Sequence, residues 1–219
     1  MDGTPNPRAR ASEDTWLEAA YEVLTKSGVE AVKVMPLAKK LGLTRTGFYW
    51  HFKDRAALLE AMITRWEAKN TGNLVAKTEA YAESICEAMF NLFDCWLDEA
   101  LFDARLDLAI RNWARNDPNL QARLDMADAT RSAAVQAMFL RFGYSDAQAL
   151  ARGMTVIYTQ IGYISMQITE DWEGRISRMP DYIEVVTGVK PTELEIDRFV
   201  ARHRQASFLQ PQNESQTIL

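Results

Sequence analysis

From Arg45 to Arg55 the chain reads RTGFYWHFKDR, and its polar groups are mostly hydrogen-bond donors. Tyr49 supplies a phenolic O–H, Trp50 an indole N–H and His51 an imidazole N–H, with Arg45, Lys53 and Arg55 beside them. Donors gathered on one side of a short helix suit phosphate oxygens, and an arginine fork among them also fits O6 and N7 of guanine. A helix packed on one side hides its rings at every third or fourth position. Here rings at 48, 49, 50 and 52 point nearly all round. Phe48 and Phe52, four apart, suit an inward face, which leaves Tyr49, Trp50 and His51 for a second surface. Taken singly, each ring has a plainer reading as packing.

Charge supports the second surface. From Lys33 to Arg55, six basic residues stand against Asp54 alone, in a chain of net charge −5. An acidic body with one basic stretch presents one face to phosphates and is unlike a general polyanion binder.

The elements that hold these residues follow from caps and breakers. Ser12 caps a first helix whose stripe is Leu17, Ala20, Tyr21 and Leu24, and Gly28 ends it at a left-handed position. Val29 to Val34 is a short connection. Pro36 suits the first turn of a helix running to Lys40, which Gly42 stops. Thr44 caps a helix over Arg45 to His51. Asp54 caps the next, which runs to about Lys69 with Leu58, Leu59, Met62 and Trp66 inward. Helix, glycine-containing turn, helix over Pro36 to His51 is the helix-turn-helix spacing, whose second helix enters the major groove of DNA.

Residues Ala38 to Leu59, AKKLGLTRTGFYWHFKDRAALL, resemble the N-terminal domain of the TetR family of bacterial transcriptional regulators. Gly42, Thr44, Tyr49, His51, Phe52, Asp54, Arg55, Leu58 and Leu59 fall on the family pattern, and the likeness covers about fifty residues, Ser12 to Met62. The resemblance implies that Arg45 and Thr46 face the groove, with Arg45 the base reader, and that Tyr49 touches a thymine methyl or a phosphate. Lys33, Thr44, Trp50, His51, Lys53 and Arg55 are the phosphate-contact candidates. Two departures stand out. Thr46 then Gly47 replaces the family's usual Gly then Thr, so a phosphate donor is lost while the backbone can approach DNA more closely. Val34 replaces a phosphate-binding threonine, and Lys33 takes over that contact. Arg8 and Arg10, on a flexible basic arm over residues 1–11, are candidates for further backbone or minor-groove contacts.

The chain has 219 residues, 47% of them apolar, with only 10 Gly and 7 Pro, so it is long enough for a substantial core and leans to helix. Met1 to Ala11 has no signal-peptide pattern, and the longest uncharged run, Gly153 to Thr169, reads as a buried helix rather than a membrane span. After the helix that follows Asp54, further helices are expected near Thr78 to Asp98, from Phe102 to about Arg115, and from there to Phe142. Others follow over Asp146 to Ile168, Pro180 to Thr187 and Pro191 to Arg204. Leu150, Met154, Ile157, Ile161, Ile164 and Ile168 form the expected core stripe of the Asp146 helix. Thr155, Thr159, Gly162 and Met166 on its other faces are uncharged too, which suits a symmetry mate. Cys86 and Cys95 read as packing residues in a reducing compartment.

The fold expected is all-α: a helix-turn-helix domain over residues 12–60 joined to a helical ligand-binding and dimerisation domain over 61–204, with a disordered tail from 205. The resemblance implies a cytoplasmic homodimeric regulator, a repressor, that binds double-stranded palindromic operator DNA and is released by a small-molecule effector. Lining candidates for its cavity are Met89, Phe93, Trp96, Arg105, Trp113, Tyr158 and Tyr163. Arg105, at the edge of an apolar stripe, needs a partner if it faces inward. The only histidines are His51 and His203, and no phosphate-binding glycine loop or paired-cysteine site is present. An enzyme, a metal site and a cofactor are therefore not expected. The alternative reading is a helical small-molecule binder or dimeric scaffold that no longer uses DNA.

Overall fold

The computed structural model describes residues 12–209, with side chains as far as His203. Arg8 and Arg10, and the tail beyond Leu209, lie outside the described residues. Eleven α-helices and no strands make up the described chain. None of these helices is long and apolar enough to cross a membrane.

The first four helices are α1 (Glu13–Ser27), α2 (Val34–Leu41), α3 (Arg45–Tyr49) and α4 (Arg55–Trp66). The caps fall where side-chain chemistry places them. Ser12 accepts from the Thr15 N–H, Thr44 from Gly47 and Asp54 from Ala57. Gly28 ends α1 at a positive φ of 77°, but with an extended ψ, and leads into a short 3-10 turn, Val29–Ala31. Helix α2 starts two residues before Pro36, since proline is tolerated throughout a first turn whose N–H groups lack helical partners. Helix α3 ends two residues short of His51, and Trp50 and His51 form a turn.

The next boundary departs from expectation. Helix does not stop at Lys69: α4 passes through a π-helical stretch, Glu67–Gly72, into α5 (Asn73–Glu79). Tertiary hydrogen bonds hold the wider turn. The fully buried Asn70 amide donates to the Asp103 carbonyl and to Asp107, and accepts from the Asp103 N–H. The chain breaks at Ala80, and Ser84 caps α6 (Ile85–Leu97), so the single helix expected from Thr78 to Asp98 is two.

The remaining helices are α7 (Ala104–Ala114), α8 (Pro118–Arg141), α9 (Asp146–Ser165), α10 (Trp172–Thr187) and α11 (Glu193–Leu209). Pro180 lies inside α10 rather than at its start, because Asp171 caps a helix that begins at Trp172, eight residues before the expected start at Pro180. Helix α11 continues to Leu209, past the expected end at Arg204. Asp94 ties α11 to α6, accepting from Lys77, Arg202 and His203 at 2.8–2.9 Å.

Two cores result. One gathers Trp16, Phe48, Leu58, Met62 and Trp66 around Leu106, Ile110 and Leu124, so α7 and α8 pack directly on the first four helices. The other lies among α5, α6 and α8–α11, with Leu92, Val135, Phe139 and Ile183 fully buried. In α9 the inward face is Ala149, Gly153, Val156, Ile157 and Ile164, whereas Leu150, Met154 and Ile168 are exposed. The expected stripe is rotated because Gly153 meets α8: a Cβ there would lie 3.2 Å from the Gln136 nitrogen. Cys86 and Cys95 are buried and free, and burial pushes their thiols up to about 11 and about 12.

At the junction of the two cores sits Asp107, with no exposed surface. It accepts from the Trp66 indole at 3.0 Å, Asn70 at 3.3 Å, Arg111 at 2.8 Å and Arg131 at 3.1 Å. Burial alone would raise its carboxyl. The Arg131 and Arg111 charges and the Arg111 and Trp66 hydrogen bonds outweigh burial and hold it below the usual carboxylate range. A carboxylate depressed on folding contributes stability above its unfolded pKa of about 4, and that contribution is lost as pH falls through the lower folded value. Asp107→Ala is expected to cost about 3–5 kcal/mol in urea unfolding at neutral pH, since it leaves Arg131 and Arg111 with Asp128 as the one carboxylate between them. The variant's urea midpoint should also fall less than the native one between about pH 5 and about pH 3. Equal pH slopes would show that Asp107 is not the titrating anchor.

Candidate nucleic-acid interface and inter-helical cleft

The turn between α2 and α3 is set by Gly42, which adopts the left-handed conformation (φ 64°, ψ 26°), while the Leu43 N–H closes back on the Ala38 carbonyl. Phe48 is fully buried, edge-on to Trp16 at 5.3 Å, and packs on Phe52 at 5.5 Å. These two rings anchor α3, as their spacing predicts. The rest of the ring cluster faces outward: Trp50 is 82% exposed and Tyr49 is also exposed. Lys33, Thr44, Arg45, Thr46 and Lys53 are exposed beside them, and Gly47 and His51 are half-buried. The Tyr49 hydroxyl accepts from the Arg45 Nε and Nη2 at 3.3 and 3.1 Å, and the guanidinium leans over the Tyr49 ring. Arg45 is thus partly pre-oriented before any partner arrives.

Arg55 is the exception among the predicted phosphate contacts. Its guanidinium turns inward and donates to the Val32 and Val29 carbonyls at 2.6 and 2.7 Å. The Val29 carbonyl also accepts the Val32 N–H at 3.1 Å, and a planar fork at the first position of α4 reaches both carbonyls. Arg55 therefore locks α4 to the segment that leads into α2.

The seven predicted lining residues separate. Met89 is buried in the second core, and Phe93 packs edge-on to Trp96 at 5.4 Å. Trp96 borders a small cavity of about 10 Å³, together with Asp107, Arg111, Arg131 and Gln160. Arg105, Trp113 and Tyr163 border a different space, an open groove of about 1000 Å³. Its walls are the end of α1 and the 3-10 turn on one side, and α7 with the last turns of α9 on the other. Arg105 does not face inward: its side chain is 81% exposed and bonds Glu99 at 2.8 Å on the groove's rim. Tyr158 is 60% exposed on the outer face of α9 and borders neither space.

The sequence reading missed the charged centre between these spaces. Arg131, 2% exposed, lies between the rings of Trp66 and Phe102 and donates to Asp107 and Thr71. Arg111 grips Asp128 with two bonds of 2.8 and 2.7 Å. The available signal was opposite charges at helical spacing, Asp107 with Arg111 and Asp128 with Arg131, on faces otherwise apolar.

Comparison with known proteins bears on the same segment. Residues 17–62 match the family model for bacterial regulatory proteins of the tetR family. The tetracycline repressor protein class D of Escherichia coli is 37% identical over 54 residues, 25% of each chain. The chain thus matches about a quarter of the length of that relative. The class A repressor from transposon 1721 of Escherichia coli is 27% identical over 159 residues, 69% of this chain and 64% of its own. Among solved structures, Mycobacterium smegmatis AmtR aligns with a TM-score of 0.62 at 14% identity, covering 94% of this chain and 98% of its own. The fatty acid degradation regulator FadR from Bacillus halodurans aligns at 0.60 and 14% identity, over 86% and 97%. At such identities the likeness is one of fold. The likeness to bacterial regulatory proteins of the tetR family is thus carried by residues 17–62.

Gly47 yields a test of close approach. A Cβ there would meet only the Thr44 hydroxyl, at an ordinary 3.5 Å. Gly47→Ala is therefore expected to stabilise the free chain by up to about 1 kcal/mol. If DNA backbone approaches α3 at this point, the same change should weaken DNA binding. Unfolding in urea and DNA titration of one preparation read both effects, and unchanged affinity would remove Gly47 from the interface.

Proposed function

We propose that this protein is a transcriptional regulator, a repressor, that binds palindromic operator DNA as a homodimer and is released by a small-molecule effector. The observation that carries the reading is the outward face of α3, where Arg45, Thr46, Tyr49 and Trp50 stand exposed on a helix anchored from behind by Phe48 and Phe52. A ring such as Trp50, left in water beside basic residues, suits a surface that becomes covered. Residues 12–60 act as the reading unit and 61–204 as the effector-binding and dimerisation body. Lys33, Thr44, His51 and Lys53 bind phosphates, while Arg45 reads a base.

Dimerisation is supported by α9 and α10. Leu150, Met154 and Tyr158 recur at four-residue spacing on the exposed side of α9, and Tyr182 and Val185 are exposed on α10. A second copy covering this face would place two recognition helices on successive major grooves, about 34 Å apart. The alternative of a helical binder without DNA leaves the donor-rich face of α3 unexplained.

Three measurements test the reading. Selection from a random DNA pool should yield an inverted repeat, bound with an affinity that falls steeply as salt rises. On that DNA, Arg45→Ala should lose about 1–3 kcal/mol of discrimination at one base pair, while His51→Ala weakens all sequences alike. An unchanged ratio between operator and single-base variant would make Arg45 a phosphate contact only. Met154→Glu with Tyr158→Glu should give a folded monomer by light scattering whose operator affinity drops at least about a hundredfold, the loss of one half-site's contacts. A variant that stays dimeric would place the interface elsewhere.

A further inference from the structure

Two buried donors without a partner converge on one cavity. Among the described residues, Arg131 Nη2 and Trp96 Nε1 are buried and bond nothing, and both residues border the small cavity of about 10 Å³. The Arg131 guanidinium is otherwise fully engaged: Nε donates to Thr71 at 2.9 Å and Nη1 to Asp107 at 3.1 Å. Rings flank it, but a ring face does not replace an oxygen acceptor for a buried N–H. Gln160 adds an amide to the same wall, and Phe102 and Ile164 make it largely apolar. Ile164 also borders the open groove of about 1000 Å³, so the small cavity and a space the size of a small molecule share a wall residue.

We propose that this cavity takes the neutral carbonyl oxygen of an otherwise apolar ligand, which accepts from Arg131 Nη2 and Trp96 Nε1 while its apolar part lies in the groove past Ile164. The proposal rests on reading the body as an effector domain and specifies the chemistry of that effector. Charge selects against an anion. Arg111 and Arg131 are already balanced by Asp107 and Asp128, so a carboxylate would add an uncompensated negative charge beside a buried one. Size agrees, because about 10 Å³ accommodates one water-sized group rather than two carboxylate oxygens. The site also has a route to the reading unit. The guanidinium that would bind the carbonyl holds Thr71 in the π-helical stretch and, through Asp107, Trp66 at the end of α4.

The test uses the full chain without DNA and three probes of similar shape: benzylacetone, a ketone; butylbenzene, its hydrocarbon counterpart; and hydrocinnamate, a carboxylate. Isothermal titration should show benzylacetone binding at least about tenfold tighter than either of the others, the worth of one buried hydrogen bond. Trp96→Phe removes a donor while keeping a ring against Phe93, and should erase most of the ketone's advantage without changing butylbenzene. Equal or tighter binding of hydrocinnamate or butylbenzene would overturn the proposal, as would no saturable ketone binding at millimolar concentration. Should Trp96→Phe fail to fold, the three-probe comparison on the native chain decides alone. Operator release is measured separately. Ketone binding with unchanged operator affinity supports this site and defeats the effector-release reading, whereas operator binding without any ketone binding defeats this site alone.

Discussion

A single buried carboxylate joins what this protein must keep in register. Asp107 on α7 accepts from Trp66 at the end of α4, from Asn70 in the π-helical stretch, and from Arg111 and Arg131 on α7 and α8. A charge with no exposed surface is costly unless every oxygen lone pair is used, and here four donors converge on two oxygens. Such a centre contributes less to net stability than to uniqueness. Shifting α4 by one residue along α7 would strand the carboxylate, and an apolar contact would tolerate that shift far better.

The direction of α4 is therefore set at two levels. Inside, the Asp107 centre holds its last turn. Outside, Arg123 on α8 binds Glu67 with paired bonds of 2.8 and 2.7 Å and reaches Glu60 at 2.7 Å. At its other end, Arg55 bonds the 3-10 turn that leads to α2. Helix α4 is thus gripped by the body at its C-terminal half and by the reading unit at its N-terminus. Displacing the body relative to α3 would disturb α4 and also the core that α7 and α8 share with the first four helices. The open groove lies across the same junction, so a molecule in it touches both the reading unit and the body.

The crowding of rings in α3 resolves into two unequal jobs. Phe48 and Phe52 fill the space against Trp16, a burial that stabilises the small unit and fixes how far α3 projects. Tyr49 spends its hydroxyl on orienting Arg45, and Trp50 stays in water. Five residues of helix would not hold such a surface unaided. The cap at Thr44, the left-handed Gly42 and the buried pair of phenylalanines do so together.

Much of the reading unit was legible because its determinants are local. Caps at Ser12, Thr44 and Asp54, the stop at Gly42 and the four-residue spacing of Phe48 and Phe52 act within a few residues, so order in the sequence maps directly onto helix ends and faces. The body resisted the same logic wherever a distant partner outweighed local preference. Helical periodicity marks Leu150 and Met154 of α9 as core, but Gly153 lets α8 approach closely and turns them outward. Arg105 and Arg131 look alike in sequence, yet one is solvated on the groove's rim and the other enclosed between two rings. The sequence by itself determined where α1, α3 and α4 are capped, which helices pair as helix-turn-helix, and which donors that pair presents. Only the tertiary structure decided where the helical run after α4 widens into π-helix, which charges are buried, and where a cavity forms. Burial and unmet hydrogen bonds depend on residues brought together from more than thirty positions apart, and no local pattern encodes that meeting.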